Sequence, residues 1–130
     1  MRNYKLLDIV EINHLILEKL TYIKVAVDMT VGNGFDTLFL LEHFPNVIGF
    51  DIQPQAIEIT KAKCNCDRLT LILNDHYNFD KYLDKADLFV FNLGWLPNSN
   101  KEIVTDADHT VKTLDKCIKH LNPKGIILWC

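Results

Sequence analysis

The run Asp28-Met29-Thr30-Val31-Gly32-Asn33-Gly34 joins a carboxylate to two glycines just before a segment of helical character. Glycine lets the backbone turn through positive φ and approach a ligand closely, and the first N–H groups of a helix have no partner inside it. A lone G-x-G is better read as an ordinary strand-to-helix turn, so the weight falls on its companions. Asp51 closes the next apolar run, where a carboxylate can accept hydrogen bonds from both hydroxyls of a ribose. Asp75 closes a third run, where it can accept from an adenine amino group or cap the turn that follows. His76 comes directly after it, with an imidazole able to exchange protons near neutral pH. Asn92 ends a fourth run and leads into Leu93-Gly94-Trp95-Leu96-Pro97.

These groups narrow the ligand. Thr37 stands where the dinucleotide fingerprint G-x-G-x-x-G/A carries a small residue for close helix packing, and no G-x-x-x-x-G-K-[ST] phosphate loop occurs. A ligand with an adenosine and no phosphate, such as S-adenosylmethionine, fits the strand-end acids better.

The elements that must position these groups follow from hydrophobic period. Residues 4 to 20 place Leu7, Val10, Leu15 and Leu17 at helical spacing among acids. Ile23 to Asp28, Val47 to Asp51, Leu69 to Leu73, Leu88 to Asn92 and Ile126 to Trp129 are short apolar runs suited to buried strands. Between them, Phe35 to Phe44 and Pro54 to Lys63 read as helices, and Asn78 to Leu83 as a short one. Asp106 to Leu121 reads as another, with Val111, Leu114, Ile118 and Leu121 on one face. Strands alternating with helices predict a parallel α/β sheet of order 3-2-1-4-5, covered by helices on both faces. The candidate residues then gather at the carboxyl ends of the strands, beside the topological switch.

With 48% apolar and 24% charged residues in 130, the chain is expected to form a single domain spanning residues 1–130. The four cysteines lack C-x-x-C spacing and are expected as reduced thiols, with no metal bound. No run is long and apolar enough for a signal or a membrane span, which makes the cytoplasm the expected location. A net charge of −3 gives no global nucleic-acid signature; Lys112, Lys116 and Lys119 share a helix face that could be local phosphate contacts or simply solvated charge.

The segments Val27 to Leu40, Gly49-Phe50-Asp51-Ile52-Gln53 and Phe91 to Pro97 together resemble the small bacterial methyltransferases labelled rRNA methylases. Some of these methylate the aminomethyl group of wobble 5-aminomethyl-2-thiouridine in tRNA. The resemblance covers nearly the whole chain and implies a Rossmann-like methyltransferase fold. It also implies that Asp28, Gly32, Asn33, Gly34, Asp51 and Gln53 hold S-adenosylmethionine, with Asp75 and His76 on the cofactor side. Asn92, Leu93 and Gly94 then form the wall facing the transferred methyl, Trp95 and Pro97 line the substrate side, and His14 lies near the opening. His43, His109 and His120 acquire no role.

Family members carry Tyr at the position of Trp95, a Gly-Gly-Asp-type stretch near Asn98-Ser99-Asn100, and two further strands beyond the fifth. The chain is therefore expected to be a shortened member, with strand 5 an open edge through which a homodimer could form. The expected reaction is attack of a neutral amine on a sulfonium methyl. Asn92, Asp28 or His76, or a water, would help the amine shed its proton, and Asn92 with Leu93 to Pro97 would position it. The expected partner is tRNA, the alternatives being rRNA or a small molecule. A non-catalytic cofactor-binding or assembly protein derived from the same fold is the competing class.

Overall fold

The computed structural model describes residues 14–92 and 107–129. Most of the helix expected over residues 4 to 20 lies outside these, as do Leu93, Gly94, Trp95 and Pro97. Residues 14–17 form one helical turn. The strands are β1 (Val25–Asp28), β2 (Asn46–Asp51), β3 (Leu69–Leu73), β4 (Ala86–Phe91) and β5 (Leu121–Trp129). The helices are α1 (Phe35–His43), α2 (Pro54–Lys63) and α3 (Ala107–Lys119), with a 3₁₀ helix over His76–Lys81. The five strands pair in parallel in the expected order, β3-β2-β1-β4-β5.

Successive strand residues face opposite sides, and each side has its own core. On one side Ala26 of β1 with Leu88 and Val90 of β4 pack with Leu40, Leu41 and Phe44 from α1 and its end, and with Leu17. On the other, Val27, Phe50, Phe89 and Phe91 pack with Phe79 of the 3₁₀ helix and Cys117 of α3. The thiols of Cys64, Cys66 and Cys117 are free, and burial pushes that of Cys117 up to about 12.

The strand feet are tied by Asp87. Its Oδ2 accepts the Lys24 N–H at 2.9 Å and the Val25 N–H at 3.0 Å, while Oδ1 accepts from Asn122 Nδ2 at 2.9 Å. Burial works to raise this carboxyl, but those donors outweigh it and hold it below the ordinary carboxylate range.

The end of α3 departs from expectation. The His120 carbonyl accepts the Ala86 N–H at 3.0 Å, and Leu121 already pairs with Ala86, so Leu121 belongs to β5 instead of the helix. Ile126 is the residue opposite Leu88, which leaves residues 122–125 as an irregular bulge with Lys124 at φ 66. The buried face of α3 is formed by Thr110, Thr113 and Cys117 with Leu114 packed beside them, whereas Val111 and Ile118 are 56% and 60% exposed. Lys116 is engaged within the fold, its Nζ 2.8 Å from Asp80 Oδ1 and 2.7 Å from the Tyr77 carbonyl. It is therefore a tie between α3 and the 3₁₀ helix, not part of a free cationic stripe.

Gly34 starts α1 at φ 85, and a Cβ there would lie 2.7 Å from Thr60 Oγ1 on α2. Backbone strain and the contact act together in Gly34→Ala, which should lose about 1–3 kcal/mol of stability, read as a lower urea midpoint at unchanged slope. Adding Thr60→Ala should recover part of the loss; a midpoint unmoved by Gly34→Ala would contradict the packing described.

Candidate active site

The loop from β1 to α1 is built over Asp28, which is fully buried. Thr37 Oγ1 donates to Asp28 Oδ2 at 2.7 Å and the Thr30 N–H to Oδ1 at 3.1 Å. The hydroxyl at position 37 thus fills the place of a small residue in a dinucleotide fingerprint with a carboxylate partner. Burial raises the Asp28 carboxyl from 3.8 to about 7, against the two donors and with help from Asp36 and Asp51. Asp28 sits beneath the loop and shapes it from inside.

The loop continues the ladders it leaves. The Met29 N–H donates to the Val90 carbonyl and the Val31 N–H to the Phe50 carbonyl, at 2.8 and 3.1 Å. Asp51, at the end of β2, then fastens the glycine turn, with Oδ2 accepting the Gly32 N–H and Oδ1 the Gln53 N–H, both at 2.9 Å. A carboxylate oxygen has a second lone pair, so both atoms can still accept a hydroxyl from a ligand. Lys63 Nζ donates to the Asn33 carbonyl at 2.9 Å. Asp51, Gly32, Asn33, Gly34 and Gln53 are thereby brought into one connected rim, with Ile52 beside them 60% exposed.

Asn92 stands on the other side of β1. Its N–H donates to Thr30 Oγ1 at 2.7 Å, and its Nδ2 donates to Asp36 Oδ2 at 3.1 Å. The other oxygen of Asp36 lies 2.9 Å from His14 Nε2, and the His14 ring stacks on Phe39 with centroids 3.8 Å apart. Asp36 therefore joins two candidates that sequence reading placed separately. It went unassigned because its neighbours come from positions 22 and 56 residues away, a relation that periodicity does not carry.

The third group lies where β3 ends. Asp75 caps the 3₁₀ helix, its Oδ1 accepting the Tyr77 N–H at 2.9 Å, and the same oxygen is 2.8 Å from His109 Nε2 on α3. Burial works to raise the Asp75 carboxyl, but the Tyr77 N–H and the His109 imidazole outweigh it and keep it below the ordinary range. His76 Nδ1 is 3.0 Å from the Met29 carbonyl, and burial holds this imidazole below its usual pKa. His109, given no role from sequence, is thus a neighbour of two candidates.

A parallel sheet with this order and helices on both faces is the Rossmann-like methyltransferase fold. The sequence profile of the family described as Putative rRNA methylase matches residues 47–130, and the chain belongs to that family. It is 30% identical over 122 residues to the chloroplastic tRNA (mnm(5)s(2)U34)-methyltransferase of Arabidopsis thaliana. That match takes in 78% of this chain, which spans only 44% of the length of the curated relative. Among solved structures, the putative rRNA-methylase of Clostridium thermocellum superimposes with a TM-score of 0.82 at 34% identity, over 95% of this chain and 72% of that one. A putative methyltransferase of Streptococcus mutans, determined in complex with SAH, gives 0.81 at 30%, over 95% and 72%.

Because Asp28 holds its proton more tightly folded than unfolded, its contribution to stability falls as pH rises from 3.8 to about 7 and is level above that. The slope is at most about 1.4 kcal/mol per pH unit. His76, lowered, acts in the opposite sense near its ordinary pKa but is common to parent and variant. Asp28→Asn should therefore gain stability relative to the parent as pH is raised from about 5 to about 7, measured by urea unfolding. A constant difference across that range would contradict the assignment.

Proposed function

We propose that residues 1–130 act as one unit that holds S-adenosylmethionine at the carboxyl ends of β1 to β3 and methylates RNA. The acceptor we propose is the aminomethyl nitrogen of wobble 5-aminomethyl-2-thiouridine in tRNA. The observation that carries this reading is the rim in which Asp51 fastens Gly32 and Gln53 while keeping lone pairs for a ligand. The donor chemistry fits an adenosine: a strand-end carboxylate for ribose hydroxyls, an exposed Ile52 to lie against a flat base, and a left-handed turn at Gly32 with open space where a side chain would stand. Gly32, Asn33, Gly34, Asp51 and Gln53 would hold the cofactor, with Asp75 and His76 bordering it at the end of β3. When bound, S-adenosylmethionine supplies an electrophilic sulfonium methyl. The acceptor is supported by the activity for which the Arabidopsis relative is named.

Asn92 is the residue we assign to the amine. Its Nδ2 is committed to Asp36, which orients the amide so that its carbonyl oxygen can accept a hydrogen bond from an amine and align the nitrogen lone pair. His14, on the other oxygen of Asp36, holds that carboxylate in place. Asp28 acts through the loop it supports. No helix among the described residues is long and apolar enough to cross a membrane.

Calorimetry with S-adenosylmethionine and a methyl-transfer assay on undermodified tRNA test the reading together. Binding with transfer is expected; binding without transfer would identify a non-catalytic relative, and no binding would reject both. Asp51→Ala should weaken cofactor binding by about 1.5–3 kcal/mol, the worth of hydrogen bonds to a charged group. Asn92→Ala should lower turnover at least about tenfold with nearly unchanged cofactor affinity, and equal losses in both would refute its role.

A further inference from the structure

The geometry points to a divalent metal site formed by Asp75, His76 and His109, suited to zinc or a similar ion that accepts imidazole and carboxylate together. One ligand atom from each of the three residues lies within 4.8 Å of the others.

The first argument is the state of His76. A carbonyl oxygen can only accept, so the 3.0 Å contact with the Met29 carbonyl puts the proton on Nδ1 and leaves a lone pair on Nε2. That Nε2 is buried and has no hydrogen-bond partner among the described residues. A buried acceptor without a partner costs free energy, and a metal ion removes the cost. An imidazole whose second nitrogen donates to a backbone carbonyl is also the usual arrangement of a metal-binding histidine.

The second argument is how the other two ligands are held. Asp75 is anchored by the Tyr77 N–H at the start of the 3₁₀ helix. His109 sits in the first turn of α3, its ring stacked on that of His76 at 5.8 Å and tilted to that of Tyr77 at 5.5 Å between centroids. Ligands about 2.0–2.1 Å from a tetrahedral zinc lie about 3.3–3.5 Å apart. His109 Nε2 and Asp75 Oδ1, now 2.8 Å apart, must separate by about 0.5–0.7 Å to admit the ion. Three protein ligands leave a position for water. The sequence hides this set because His109 is 34 residues from Asp75.

The metal site shares Asp75 and His76 with the border of the cofactor rim, but it does not require methyl transfer and is tested on the metal-stripped 130-residue chain. Titration with zinc chloride, followed by calorimetry, should show one equivalent bound, and zinc should raise the unfolding temperature. His109→Ala should weaken binding more than about 100-fold, beyond the roughly 10–100-fold effect of losing an outer hydrogen-bond partner, and abolish the thermal shift. His43→Ala should bind as the parent does. In the unmutated chain, nitrogen NMR should show zinc displacing the Nε2 resonances of both His76 and His109. Absence of stoichiometric binding, full binding by His109→Ala, unmoved imidazole resonances, or loss of binding in Cys64→Ser/Cys66→Ser instead would each overturn the site.

Discussion

A carboxylate without access to water sits at the end of β1, and the loop above it takes its form from how the two oxygens of Asp28 are satisfied. One oxygen draws in the Thr30 N–H and so curls the chain as it leaves the strand; the other takes the Thr37 hydroxyl and fixes the first turn of α1 against the sheet. With both ends of the loop set, the intervening glycines have one path, and the Gly32 N–H arrives at Asp51. Thr30 carries the constraint across β1 as well, because its hydroxyl accepts the Asn92 N–H. The two halves of the rim, on β2 and on β4, therefore refer to the same buried group.

Much of the frame is legible in the amino-acid sequence. Strand positions and sheet order follow from short apolar runs separated by helical ones, since a parallel sheet buries both faces of its strands and leaves a strong signal. Leu69–Leu73 appears with the expected bounds. The acids at strand ends were legible for the same reason: Asp51 and Asp75 fall where the apolar run must stop.

What was not legible depends on distant partners. Leu121 continues the helical spacing of Leu114 and Ile118, yet the helix stops two residues earlier, at Lys119, where the Ala86 N–H captures the His120 carbonyl and turns the chain into the sheet. Val111 and Ile118 look like core on a helical wheel, but the sheet is met by the neighbouring face, where threonines and Cys117 are small enough to pack closely. Thr37 was read by what it excludes, and its bond to Asp28 emerges only when α1 is laid against β1. Asp36 and His109 carry no signal in the sequence for a similar reason, because each gains meaning from groups far away in the chain.

The Asp87 clamp has a bearing on how the chain assembles as it is made. β1 lies between β2 and β4, so with only the segment through β3 in hand one of its edges is bare. The Lys24 and Val25 N–H groups at its foot find Asp87 only after a further 63 and 62 residues. Pairings at such separation are slow to close, and an open edge of apolar strand is the feature most prone to wrong association. The amino-terminal half is thus an unfinished template for its own later strands. The interval in which it needs protection is set by the time taken to synthesise through β4 and draw that strand into the gap.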